Sequence, residues 1–293
     1  MSDFVRQHQT TCNFKGNESW VILSPIEQSI KNKIESVGTP LKDWDINIYR
    51  GVLTGCNEAF IISTEKRNEI LNNCTTEEER RRTEELIRPI LRGRDIKRYG
   101  YEWAGLYLIA TFPSRHYDIE EYPAVKQHLL SFGMERLEQT GKKYTIDGQQ
   151  VTARKKTNNK WFETQDSISY WEDFKKPKII YPETTQGAYF AYDDNGVFLD
   201  KTCFMLISGD AEYLQFTLSS KLFEYAYKRI FSSVSLGEHG YQYNKHALVK
   251  LPVVKPTDSI TKRIKTSDIE SFIFDIYKIS PDEIKKIEAS ILD

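Results

Sequence analysis

The apolar positions along the chain change period several times, and each change predicts a different element. Ile26, Ile30 and Ile34 recur every four residues behind Ser24, with Pro25 at the first helical position, Glu27 placed to close a capping box and Gly38 as a stop. This spacing predicts an amphipathic helix over residues 24–37. Alternating runs at 46–53 and 58–63, separated by Thr-Gly-Cys-Asn, predict two strands joined as a hairpin. Residues 75–87 predict an exposed helix, with Glu77 four before Arg81 and Glu78 four before Arg82. A strand follows at 105–111, then a helix opening near Pro123 with Val125, Leu129 and Phe132 on one side.

Between 137 and 163 the periodicity dissolves into a polar stretch that carries Lys142, Lys143, Arg154, Lys155, Lys156 and Lys160. A long loop of this kind in a compact domain is usually functional or disordered. Strand patterns return at 178–183, 188–193 and 202–208, followed by a helix over 211–231 with Leu214, Leu218, Leu222 and Tyr225 inward. Two further capping signatures close the sequence, Ser267 with Glu270 and then Ser280, Pro281 and Glu283. The mixed order of strands and helices predicts an α+β fold, a mixed sheet with packed helices and a C-terminal helical pair. The expected divisions are a lead-in over 1–45, a main domain over 46–255 and the helical pair over 256–293, with 253–263 as the linker.

Composition narrows the function. With 41 Lys and Arg against 42 Asp and Glu in 293 residues, the net charge is -1. No global field draws the chain to a polyanion, so only local clusters can do so. Cys12, Cys56, Cys74 and Cys203 lie far apart, which excludes a zinc clip or a disulfide framework by spacing. The N-terminus lacks a signal-peptide layout, and no run of about 18 apolar residues occurs. A soluble, cytoplasmic protein is expected, with no membrane partner.

Catalytic motifs are missing. No P-loop is present, and the two glycines of Gly-Val-Leu-Thr-Gly (51–55) fit a turn. Pro281, Asp282, Glu283 and Lys285 superficially resemble a metal-nuclease motif, but they lie within one helical turn behind Ser280, where proline and acids are ordinary helix chemistry. The five histidines show no ligand spacing, so no metal site is expected; His239 and His246 flank a segment containing Tyr241 and Gln242. Two basic clusters stand out: Arg92, Arg94, Lys97 and Arg98, and the lysines and arginine of 154–160. DNA recognition needs cations for phosphates and amide or hydroxyl side chains for base edges.

The segments at 48–62, 87–99 (Ile-Arg-Pro-Ile-Leu-Arg-Gly-Arg-Asp-Ile-Lys-Arg-Tyr), 122–129, 176–183 (Lys-Pro-Lys-Ile-Ile-Tyr-Pro-Glu) and 272–288 together resemble the TaqI-like C-terminal specificity domain. This is the target-recognition domain of adenine-specific DNA methyltransferases and type IIG restriction–modification enzymes. The departure is Cys56, where the family more often has an aromatic residue. The resemblance implies a chain without catalytic residues of its own, bound to duplex DNA and to a methyltransferase domain or subunit that carries S-adenosylmethionine and the Asn-Pro-Pro-Tyr motif for a flipped adenine. It implies a fragment or a split subunit. Recurrent motif residues must serve domains with different targets, so Arg92, Gly93, Arg94 and Asp95 are expected to be scaffold with an internal ion pair. The expected DNA-binding residues are Arg154, Lys155, Lys156 and Lys160, then Thr184, Thr185 and Gln186, and finally Tyr241 and Gln242. An interaction module without DNA contact is the alternative.

Overall fold

A computed structural model describes residues 23–232, 235–236, 240–266 and 268–292. Cys12, His239 and the expected Ser267 cap lie outside them. At the centre stands a four-stranded antiparallel sheet in the order Ala191–Asp193, Lys178–Pro182, Cys203–Ile207, Asn47–Arg50. Successive strand residues face opposite sides. Ile179, Tyr181 and Leu206 therefore enter one core, whereas Ile180 and Met205 enter another on the far face.

Helices cover the first face. The helix Pro25–Val37 starts as its pattern predicts: Glu27 N donates to Ser24 Oγ at 3.4 Å, and Ser24 N donates back to Glu27 Oε2 at 2.8 Å. Its Ile30 and Ile34 are fully buried, each worth roughly 1.5–3 kcal/mol of transfer free energy. The last helix, Pro281–Leu292, docks on it through one carboxylate, since Glu283 accepts from Ser29 Oγ at 2.7 Å and Lys33 Nζ at 2.6 Å while also capping Ser280 N at 2.7 Å. The expected C-terminal pair, Ile269–Ile276 with Pro281–Leu292, is preceded by a third helix, Asp258–Thr266.

The opposite face packs on a second sheet ordered Phe198–Leu199, Ile87–Leu91, Leu106–Ile109, Ile61–Ser63, parallel at its first pair and antiparallel elsewhere. Helix Pro123–Leu130 buries Val125 and Leu129 in that core. Strands and helices of mixed order make the fold α+β. Among the described residues no helix is long and apolar enough to cross a membrane.

Three local expectations are corrected. The strands near 46–53 and 58–63 are not a hairpin: Asn47–Arg50 pairs with Cys203–Ile207, Ile61–Ser63 pairs with Leu106–Ile109 in the other sheet, and a helical turn, Asn57–Phe60, separates them. Alternation marks which side chains are buried but is silent on the partner strand. The helix over 211–231 is broken into Ala211–Leu218 and Lys221–Ala226, the latter continued by a π-helical turn, Tyr227–Phe231, because Ser220 Oγ accepts from Phe223 N and begins a fresh helix. The polar stretch contains a hairpin, Lys143–Ile146 with Gln149–Thr152. Its turn uses Asp147 (φ 49°) and Gly148 (φ 79°), the paired left-handed conformations of a two-residue turn that matches strand twist.

Candidate functional site

Two members of the basic motif at 92–98, Arg92 and Arg98, are structural, whereas Arg94 and Lys97 are exposed. Arg92 Nε and Nη2 reach Asp95 at 3.0 and 2.8 Å, and Asp95 also takes Arg92 N at 2.8 Å. Burial acts to raise the Asp95 carboxyl, but the Arg92 hydrogen bonds and charge outweigh it and hold the group below its ordinary range. Arg98 pairs with buried Glu224 across the first core and lies 3.9 Å from Glu270. Lys228 reaches the other Glu224 oxygen at 2.9 Å. This motif thereby fastens the second sheet to the helical layer.

The expected site residues divide by burial. Arg154, expected to contact DNA, is only 4% exposed, and its guanidinium is spent on carbonyl oxygens: Leu137 at 2.7 Å, Thr54 at 2.8 Å, Glu163 at 2.7 Å and Trp161 at 2.5 Å. It also lies 5.0 Å over the Phe60 ring. Burial pulls its pKa down to about 10, so it stays charged at neutral pH. The role expected of Arg154 is corrected to that of an anchor, because a side chain surrounded by protein carbonyls has no face left for a phosphate. Gly55, with φ 78°, belongs to the same joint, where an added Cβ would come within 2.8 Å of Arg154 Cδ.

Lys155, Lys156 and Lys160 are exposed. Their backbone is nevertheless fixed: Thr157 N donates to Gln139 O at 3.0 Å, Gln139 Nε2 donates to the Lys160 carbonyl at 3.1 Å, and Lys160 N donates to Glu163 Oε2 at 2.7 Å. Exposed cations are thus presented from an ordered loop, with Lys160 Nζ 5.4 Å over the Phe162 ring.

The remaining expected residues converge on one small sheet, where Thr184 pairs with Gln242 and Thr185 with Tyr241. Thr184 and Gln186 are exposed, and Gln242 is half-buried with Nε2 3.1 Å from Glu183 Oε1. Thr185 and Tyr241 turn inward and are corrected to structural roles. Thr185 Oγ1 donates to Gly187 O at 2.7 Å; Tyr241 packs on Tyr243, their hydroxyls 3.2 Å apart, and burial pushes its phenol far up.

One residue unmarked in sequence links the two groups. Arg50 ends the edge strand of the central sheet, pairs with the other Glu183 oxygen at 2.6 Å and donates to the Lys201 carbonyl at 2.8 Å. Both Arg50 and Lys155 act on Asp166, whose carboxyl is raised by burial and partly relieved by those two cations. A strand-end arginine after an alternating run was the available signal. Asp282 and Lys285 are exposed while Glu283 is committed to Ser29, Lys33 and Ser280, so the nuclease-like triplet does not converge. Among the described residues no three His, Cys, Asp or Glu side chains form a metal-like cluster.

A family model described as "TaqI-like C-terminal specificity domain" matches residues 88–253, more than half of the chain. The solved structure of the type IIG restriction endonuclease BpuSI is similar at TM-score 0.51 and 12% identity, over 92% of this chain and 32% of that one. The DNA-bound type IIL restriction-modification enzyme MmeI aligns at TM-score 0.45 and 15% identity, over 86% of this chain and 32% of its own. The chain thus spans about a third of the length of the solved structures it matches. The likeness to BpuSI is one of fold.

Proposed function

This chain belongs to the TaqI-like C-terminal specificity domain family, and from that premise we propose that it reads sequence in duplex DNA for a restriction–modification system. Its task is to position an adenine for N6 methylation by an associated methyltransferase domain or subunit. S-adenosylmethionine belongs to that partner, and this chain supplies no catalytic group. Residues 46–255 are the recognition domain, and 256–293 brace it.

The observation that carries this reading is the exposure of Lys155, Lys156 and Lys160 on a hydrogen-bonded loop, in a molecule where Arg92 and Arg98 of the other basic motif are held in internal ion pairs. Fixed cations set the register of a protein on the phosphate backbone, while Thr184, Gln186 and Gln242 offer the hydroxyl and amide groups that read base edges. The test is duplex binding by the purified chain over a range of salt. Replacing Lys155 and Lys156 together by alanine is expected to weaken binding to all sequences and to lower the slope of log affinity against log salt by about 2, roughly 0.9 per lost phosphate contact. An unchanged slope with weakened binding of a protein partner instead would favour the interaction-module reading.

A further inference from the structure

We infer that the hairpin Lys143–Ile146/Gln149–Thr152 enters a groove of duplex DNA and reads bases with one face, Lys143, Thr145, Gln150 and Thr152. The inference rests on the DNA-reading function proposed above and identifies the element that does the reading.

The pairing register sorts the ribbon into two faces. Lys143 opposes Thr152 and Thr145 opposes Gln150, so these four side chains share one face. Tyr144 opposes Val151 and Ile146 opposes Gln149 on the other. All four residues of the first face are exposed, whereas Tyr144 and Val151 are half-buried, with the Tyr144 hydroxyl bonded to Glu138. The outward face holds only donors and acceptors: an amide, two hydroxyls and an ammonium. Glutamine pairs bidentately with adenine, lysine with guanine, and threonine with either class of edge.

Size and stiffness fit the same task. Four residues per strand span about 10 Å, and the major groove, about 12 Å wide, admits a two-stranded ribbon. A lone hairpin is marginal in water, but here its root is clamped. Ala153 N donates to Lys142 O at 2.8 Å, Gly141 N to Arg154 O at 2.9 Å and Arg154 N to Glu138 O at 3.0 Å. The buried Arg154 guanidinium then pins that root to the second core.

Charge identifies the occupant. Residues 142–160 contain Lys142, Lys143, Arg154, Lys155, Lys156 and Lys160 against the single acid Asp147, in a chain of net charge -1. Lys142, Lys155 and Lys156 lie at the root, level with phosphates when the tip is in the groove. Asp147 lies at the tip, farthest from them, where a carboxylate accepts from a cytosine amino group.

The experiment is selection of bound molecules from a random duplex pool by the full chain, compared with Thr145→Ala plus Gln150→Ala and with Gln149→Ala on the opposite face. The expected result is that wild type enriches a short motif, the double variant loses preference at one or two adjacent positions by roughly 10-fold or more while still retaining random duplex, and Gln149→Ala keeps the motif. Identical motifs from wild type and the double variant would overturn the reading face and leave DNA recognition standing. Retention of duplex by wild type without any motif would also overturn it, since the hairpin would then hold DNA without reading it. Failure of wild type to retain duplex at low salt would remove the DNA-binding function itself, and this inference with it.

Discussion

The chain has two basic stretches of similar appearance, 92–98 and 154–160, and the fold treats them oppositely. In the first, Arg92 meets Asp95 and Arg98 meets Glu224, so these two charges are cancelled inside the molecule while Arg94 and Lys97 stay exposed. In the second, one arginine is drawn into the core by carbonyl oxygens, and the lysines beside it are left in water. A run of cations becomes a surface for a polyanion only when the fold brings no acids to it. Acids 126 residues away in sequence, as with Arg98 and Glu224, are invisible to any reading of local charge.

This contrast is tested hardest by Arg98→Ala. The change leaves Glu224 buried with Lys228 as its remaining ion-pair partner among the described residues, and unfolding by denaturant is expected to show a loss of about 3 kcal/mol, the lower end for breaking a buried pair. Arg154→Ala is expected to cost about 2 kcal/mol, because the carbonyls of Leu137, Thr54, Glu163 and Trp161 lose a charged donor. Limited proteolysis of that variant should cut within 155–160 first; equal resistance to wild type would deny Arg154 its role as anchor.

Acid should separate the stretches more gently. Asp95 has a folded pKa depressed below the ordinary value of about 3.9, so it binds a proton more readily when unfolded. Its contribution is present above that unfolded value and is lost as pH falls through the lower folded one. Asp95→Asn should therefore flatten the acid limb of stability against pH, and an unaltered limb would deny Asp95 that share. The smallest effect is expected at Lys155→Ala with Lys156→Ala, where the thermal midpoint should correspond to a change within about 0.5 kcal/mol. A larger loss would mean that these lysines, like Arg92, are part of the scaffold.

Much of this arrangement was legible in sequence where the signal is local. The capping box of Ser24 and Glu27, the strand at 178–182 and the scaffold role of Arg92 and Asp95 all follow from spacing or from family resemblance. Features set by distant partners were not legible. Whether Arg154 faces water or carbonyls depends on Thr54, 100 residues earlier, and the separation of the strands at 47–50 and 61–63 depends on strands that come much later. The hairpin at 143–152 had a local signal, Asp-Gly between short alternating runs, which the density of polar residues obscured. Of the expected DNA-binding residues, the exposed lysines, Thr184 and Gln186 stay available to a ligand, whereas Arg154, Thr185 and Tyr241 were misread because a polar side chain in a polar segment gives no sign of facing inward.

The carboxylate of Glu283 that clasps Ser29 and Lys33 also sets a schedule for synthesis. Ser29 and Glu283 are 254 residues apart, which at 5–20 residues per second is a wait of about 13–50 s on the ribosome. Over that interval the second core, drawn from residues 52–205, can be completed while the helix Pro25–Val37 is still without its partner. Ile30 and Ile34 likewise stay an unsatisfied stripe until residues 227–231 and 252–253, which pack on this helix, have been made, the period in which a chaperone would find its binding site.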